Sequence, residues 1–251
     1  MSEHTIKNAV KEKYGQIARQ SSSCCGPACG CGTPEGIAGT ISLKDLYPDV
    51  DKSIRESADL GLGCGTPSSY ADLRTGMTVL DLGSGAGIDV FIAAKEVGPE
   101  GTVIGVDMTE DMIARAEANK KKLGATNTEF RLGEIEHLPV APASVDRILS
   151  NCVINLVPDK RRAFAEMFRV LKTGGSFCVS DIVSVGEIPE SIRANLMEWA
   201  GCVAGALDRE QYLEIVREAG FHDVSVVAER PYTLDADVPF GLRSITVKAT
   251  K

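Results

Sequence analysis

Val79-Leu80-Asp81-Leu82-Gly83-Ser84-Gly85-Ala86-Gly87 reads as an apolar strand that runs into a glycine-rich turn, with a helical pattern behind it. Glycines at such a turn let the backbone approach a ligand with no Cβ in the way. The helix behind it is expected to offer unpaired N–H groups and the positive end of its dipole. The spacing Gly83-x-Gly85-x-Gly87 departs from the dinucleotide fingerprint, which wants a further glycine where Ile88 stands. The next strand ends in Asp107, a position that faces a ribose in doubly wound sheets.

Working outward from this loop, strands are expected at Met77–Leu82, Thr102–Asp107, Thr128–Leu132, Val145–Asn151 and Gly174–Asp181. A helix after Gly87 places Ile88, Phe91 and Ile92 on one face. Thr109 is expected to cap a second helix, with Glu110 and Asp111 in its first turn, Lys120–Lys122 in its last and Gly124 as its stop. Pro158 opens a third, with Phe164, Met167, Phe168 and Leu171 on one face. A helix over Asp208–Gly220 and strands at Val224–Ala228 and Ser244–Ala249 close the chain. Alternating strands and helices imply an α/β, Rossmann-like fold: a seven-stranded, mostly parallel sheet with helices on both faces. Upstream, residues 1–20 form a helix with Ile6, Val10, Tyr14 and Ile17 on a stripe, and 35–70 are irregular. The expected organisation is a cysteine-containing cap over 1–70 and a domain over 71–251. An insertion at about 182–207, including Trp199, interrupts that domain.

The 251 residues carry a net charge of −8, and no basic face suited to nucleic acid is present. Neither a basic amphipathic stretch, a long apolar run nor a signal-like N-terminus occurs, so a cytoplasmic protein without membrane association is expected. In a reducing compartment the eight cysteines suggest metal or redox chemistry more than a disulfide framework. Cys64 and Cys202 lie between glycines, and Cys152 just past the fourth strand, where small neighbours leave sulfur accessible. Each could ligate a soft ion or simply pack. Cys178, inside the fifth strand, reads as a small buried hydrophobe. Cys24, Cys25, Cys29 and Cys31 cluster more tightly than a usual zinc site. His4, His137 and His222 are scattered and suggest no catalytic histidine, and Asp159–Arg162 read as a solvated helix start.

The Asp-x-Gly-x-Gly-x-Gly loop and the acidic end of the second strand resemble class I S-adenosylmethionine-dependent methyltransferases. The resemblance implies that Gly83 and Gly85 pass under the donor's methionine part, that Asp107 binds the ribose hydroxyls, and that Met108 lies beside the adenine. Glu134 and Ile135, in Gly133-Glu134-Ile135-Glu136, resemble the adenine-edge segment; Asn151 falls where the family contacts the donor's amino-acid end, and Tyr14 and Asp81 join the donor site. Tyr14-Gly15, Gly63-Cys64-Gly65, Gly105–Thr109, Ser150–Lys160 and Gly201-Cys202 together resemble the arsenite methyltransferases.

That resemblance implies trivalent arsenic, as arsenite or its thiol conjugates, bound by Cys64, Cys152 and Cys202. One of Cys24, Cys25, Cys29 and Cys31 would be the redox partner of Cys64, and glutathione or thioredoxin the external reductant. Soft trivalent arsenic suits thiolate ligands, and its lone pair needs no general base to attack a methyl group. Longer members carry an extension beyond the last strand, where the present sequence stops at Lys251. Two alternatives are a methyltransferase for an organic acceptor such as a quinone, and a soft-metal-binding or redox-sensing protein on the same fold.

Overall fold

The computed structural model describes residues 2–19, 50–193, 204–232 and 240–251. Seven strands form one sheet: β1 (Thr78–Leu82), β2 (Thr102–Asp107), β3 (Thr128–Leu132), β4 (Val145–Asn151), β5 (Leu171–Val185), β6 (His222–Tyr232) and β7 (Gly241–Thr250). Their order is β3-β2-β1-β4-β5-β7-β6. β7 runs antiparallel to both neighbours, and the remaining pairs are parallel. From β1 the chain goes outward to β2 and β3, then returns to place β4 on the other side. The carboxyl ends of β1 and β4 therefore flank the switch point at which such sheets bind ligands.

The α-helices among the described residues are α1 (Glu3–Arg19), α2 (Lys52–Ala58), α3 (Ile88–Val97), α4 (Glu110–Leu123), α5 (Lys160–Val170), the short α6 (Glu190–Arg193) and α7 (Arg209–Glu218). One face of the sheet packs on α5 and α7 through Phe164, Met167, Tyr212 and Val216. Phe164 meets Tyr212 edge-on, and Phe177 meets Phe221 likewise, their centroids 5.6 and 4.8 Å apart. The other face packs on α3 through Val90, Phe91, Ala93 and Val97, and Ile54 and Ala58 of α2 join that core.

Several expectations need correction. The buried face of α3 is centred on Val90, Phe91, Ala93, Ala94 and Val97, and Ile88 and Ile92 are only partly covered. The helix is clasped between sheet and α2, which broadens its apolar face beyond one stripe. Thr109 occupies the N-cap of α4 without capping it through its side chain; its hydroxyl and its N–H both turn to Asp107. α5 starts at Lys160, after Asp159 rather than Pro158, and the Asp159 carboxylate accepts the Arg162 N–H at 3.0 Å. Its start is not fully solvated. Lys160 is buried, donating to the carbonyls of Asn155 (3.3 Å) and Val157 (3.0 Å). β5 continues to Val185, paired with β7 throughout, so the insertion expected from 182 begins no earlier than Gly186. Within the supposedly irregular 35–70 stretch, α2 is a regular helix capped by Asp51. Trp199 lies outside the described residues.

Candidate active site

At the switch point a cleft holds about 1060 Å³ of empty space, its open mouth included. That is ample for a nucleoside-sized ligand. Tyr14, Asp81, Gly83, Gly85, Asp107, Met108, Glu134, Ile135 and Asn151 all line it, although they come from five separate stretches of chain. α1 forms part of the wall through Lys7, Val10 and Tyr14. Lys7 reaches across to Glu134 and Glu136, each at 2.8 Å, and so ties α1 to the segment after β3.

The glycine loop makes its own hydrogen bonds. Gly83 and Ser84 both donate to the Val106 carbonyl, at 2.8 and 3.0 Å. Gly85 donates to Asp107 at 3.0 Å, and Gly87 donates to the Ser84 carbonyl at 2.8 Å. The N–H groups of the loop before the helix are thus largely engaged, and the loop is a poor phosphate nest. The surroundings are acidic: Asp81, Asp89 and Asp107 all line the cleft. Burial pushes the Asp81 carboxyl well above its ordinary range, helped by Asp89 and Asp107. Burial also raises Asp107, against hydrogen bonds from Thr109, Gly85 and Met108 that hold it down. A cleft lined this way favours a cationic ligand over a phosphorylated one.

Gly83 has φ +66°, and a Cβ there would lie 2.5 Å from both γ-carbons of Val153. Gly85 has φ +52°, and its missing Cβ would meet nothing closer than the Met112 sulfur at 4.0 Å. Gly83 therefore lets the turn after β4 close down, and Gly85 leaves room for a ligand. The buried Ser84 hydroxyl on the same loop has no hydrogen-bond partner among the described residues.

Asn151 lines the cleft and also holds the neighbouring Cys64 loop. Its carboxamide oxygen accepts the N–H groups of Cys64 (3.0 Å) and Gly65 (3.2 Å). Its amide nitrogen donates to the Gly65 carbonyl (2.9 Å) and to Asp89 (3.2 Å). Asn151 thus fastens the Cys64 loop to the end of β4. A further bond, from the Ser244 hydroxyl to the Cys64 carbonyl at 2.6 Å, fixes the loop from β7. On the next residue, Cys152 takes the left-handed conformation, φ +61°, rare for a side-chain-bearing residue. Its N–H donates to the Ser180 carbonyl at 2.8 Å.

These two anchors bring Cys64 and Cys152 together with Asp181 of β5, one sulfur or oxygen from each lying within 4.8 Å of the others. Cys152 opens onto the cleft. Asp181 is fully buried, and desolvation raises its pKa to about 7 against N–H donors from Ile182 and Asn155 and the charge of Lys160. The Tyr212 hydroxyl, also buried, has no hydrogen-bond partner among the described residues. Burial, then Asp181, Cys64 and Cys152, raise its pKa well above the usual phenol range. Asp181, Asp89, Tyr212 and Lys7 escaped the sequence reading. The detectable signal for Asp181 was an acid inside the apolar run Phe177–Val183. Cys178 is buried in the core as expected, its thiol pushed up to about 12 by desolvation. Cys202 and Cys24, Cys25, Cys29 and Cys31 lie outside the described residues.

The family profile described as "Methyltransferase domain" matches residues 73–220. The arsenite methyltransferase of Halobacterium salinarum is 43% identical, over 98% of this chain and 66% of its own length. The human arsenite methyltransferase is 41% identical, over 86% of this chain and 58% of its own length. The chain thus spans somewhat less than two thirds of these curated relatives. The crystal structure of an arsenic(III) S-adenosylmethionine methyltransferase from Chlamydomonas reinhardtii superposes with a TM-score of 0.71. It is 34% identical, over 85% of this chain and 75% of that one. On the strength of the profile match and these relatives, the chain belongs to the methyltransferase-domain family, in the group of the arsenite methyltransferases.

Proposed function

We propose that the protein transfers a methyl group from S-adenosylmethionine to trivalent arsenic held by cysteine thiolates. The observation that supports this most strongly is the meeting of the Cys64 and Cys152 sulfurs where Cys152 opens onto the acidic cleft. When bound, the donor supplies an electrophilic methyl on a sulfonium cation. Asp107, which lines the cleft, would receive the ribose hydroxyls with Gly85 leaving room beside it, and Asp81 and Asp89 would supply the charge a sulfonium and an ammonium group require. Glu134 and Ile135 flank the adenine, with α1 and Tyr14 as a cover from the N-terminal cap.

Cys64 and Cys152 bind arsenic, and Cys202 supplies the third thiolate. Three sulfurs leave the arsenic lone pair free to point at the methyl group. The work of the chain is then alignment, which the Asn151 tether and the Cys152 backbone perform. Methyl transfer would release the donor as its thioether and leave arsenic pentavalent and still on the thiolates, and the As–S bond to Cys64 breaks as the N-terminal thiolate attacks the Cys64 sulfur. Oxidation of Cys64 and one of the N-terminal cysteines to a disulfide returns two electrons to it, and glutathione or a thioredoxin reduces that disulfide.

An organic acceptor such as a quinone is not favoured, because a pair of buried thiols, one of them opening onto the cleft, is of no use to it. The test is incubation with labelled donor, arsenite and a thiol. Methylated arsenic should form, and Cys64→Ser and Cys152→Ser should each abolish it while calorimetric donor binding persists. Normal methylation by either variant sinks the ligand assignment; absence of donor binding sinks the whole reading in favour of a metal-binding protein.

A further inference from the structure

The chemistry proposed above uses three thiolates and leaves Asp181 without a task, yet its carboxylate lies in the same cluster as the two described thiols. A carboxylate is a poor partner for soft trivalent arsenic and a normal one for borderline divalent cations. We propose that Cys64, Cys152 and Asp181 also form a site for a thiophilic divalent cation, Zn²⁺ or Cd²⁺, which excludes arsenite while it is bound.

The geometry is close to what such an ion needs. Two Zn–S bonds of about 2.3 Å at a tetrahedral angle put the sulfurs roughly 3.8 Å apart. The donor atoms here are already within 4.8 Å of one another, so small side-chain rotations suffice. Asp181 is held for the purpose. Its Oδ1 accepts the Ile182 N–H and its Oδ2 the Asn155 N–H, both at 3.0 Å, which orients the carboxylate and leaves lone pairs on both oxygens. The buried Tyr212 hydroxyl, which has no partner among the described residues, is close enough to feel the charge of all three groups. It is a ready donor to a ligated thiolate or carboxylate. The charges balance as well: two thiolates and a carboxylate are offset by a divalent ion together with the buried Lys160 ammonium. Binding displaces the two thiol protons and any proton on the carboxyl to solvent, with no change of oxidation state. The ion enters through the cleft, onto which Cys152 opens.

The test is titration of the reduced, metal-free protein with Co²⁺, whose thiolate charge-transfer and d–d bands report ligation directly, followed by displacement with Zn²⁺. One Co²⁺ per chain should bind at this site. Its sulfur bands should weaken in Cys64→Ser and Cys152→Ser, and prior addition of arsenite should remove them. Asp181→Asn should lower the affinity for Co²⁺ and Zn²⁺ by at least ~10-fold, the loss seen on removing even an outer partner of a metal site. The same variant should bind arsenite as the unmodified protein does, which also controls for folding. Bands undiminished in either cysteine variant place the ion on other thiols, such as the Cys24–Cys31 group, and overturn the proposal. So does an affinity that Asp181→Asn leaves unchanged, or Zn²⁺ and arsenite bound together without competition. None of these readouts depends on methyl transfer.

Discussion

Gly83 and Gly85 stand two residues apart with similar backbone angles, and their neighbours give them opposite roles. An alanine at either must hold a left-handed conformation, which costs about 1–2 kcal/mol. At Gly83 the added methyl also collides with Val153, and through it with the turn carrying Cys152. Gly83→Ala should therefore lose roughly 2–4 kcal/mol in urea unfolding, strain and overpacking together. Gly85→Ala should lose only the smaller amount, fold normally, and bind donor more weakly by calorimetry because its methyl enters the cleft. Equal stability losses would mean that Val153 gives way freely. Asn151 makes a parallel case. Asn151→Ala removes four hydrogen bonds and leaves the Cys64 and Gly65 N–H groups without their acceptor, at a cost of about 1–3 kcal/mol. The sharper readout is Cys64 itself, now 2% exposed. Its alkylation rate should rise in the variant while that of the core thiol Cys178 stays low. An unchanged Cys64 rate would show that Ser244 alone holds the loop.

At the scale of elements, α1 is the piece whose docking rests most on charge. Lys7 bridges Glu134 and Glu136, Lys11 lies 3.5 Å from Glu134, and Arg19 pairs with Asp111 of α4. The Lys7 pKa is raised although burial opposes it, because hydrogen bonds to the two glutamates outweigh desolvation. Lys7→Met keeps the apolar stem and removes the charge, so it should cost about 1–2 kcal/mol of docking free energy. Hydrogen exchange in α1 should accelerate and donor affinity fall, with exchange in the sheet unchanged; equally slow exchange in α1 would show that Ile6 and Val10 dock it alone. The elements themselves were largely legible. Strand centres such as Val79–Leu82 and Val103–Val106 are largely apolar stretches bounded by turns, and their pattern finds them. Strand ends were not, because the extension of β5 to Val185 depends on pairing with β7, a long-range event with no local signal. Lys160 was misread for the same reason: a lysine at a helix start is usually solvated, and only the packed fold supplies the carbonyls that bury it. In the candidate site, cysteines and glycines announced themselves by type. Asp181 did not, since a strand acid acquires meaning only from what faces it.

For the whole molecule, buried carboxyls and paired carboxyls pull stability in opposite directions with pH. Asp81, Asp107 and Asp181 have raised pKa values, Asp181 at about 7, so below that value the folded chain holds protons that the unfolded chain has released. Their contribution is fully present below the unfolded carboxylate range and is lost as pH rises through the folded values. Glu134 beside Lys7 and Glu166 beside Arg169 have lowered pKa values, and their contribution disappears as pH falls below the ordinary range. The melting temperature should therefore peak on the mildly acidic side, at about pH 5, and decline toward pH 8. Asp181→Asn should flatten part of that decline. A sulfonium donor bound as proposed, beside Asp81 and Asp107, would favour their charged forms, so its binding should expel protons where they are still protonated. Calorimetry in buffers of different ionisation enthalpy at about pH 6 should show that release, and the shift in melting temperature with saturating donor should grow from pH 5 to 8. A shift that is constant with pH, with no proton released, would mean that the acidic floor of the cleft does not sense the ligand's charge. The preference for a cation over a phosphate would then have to arise from shape alone.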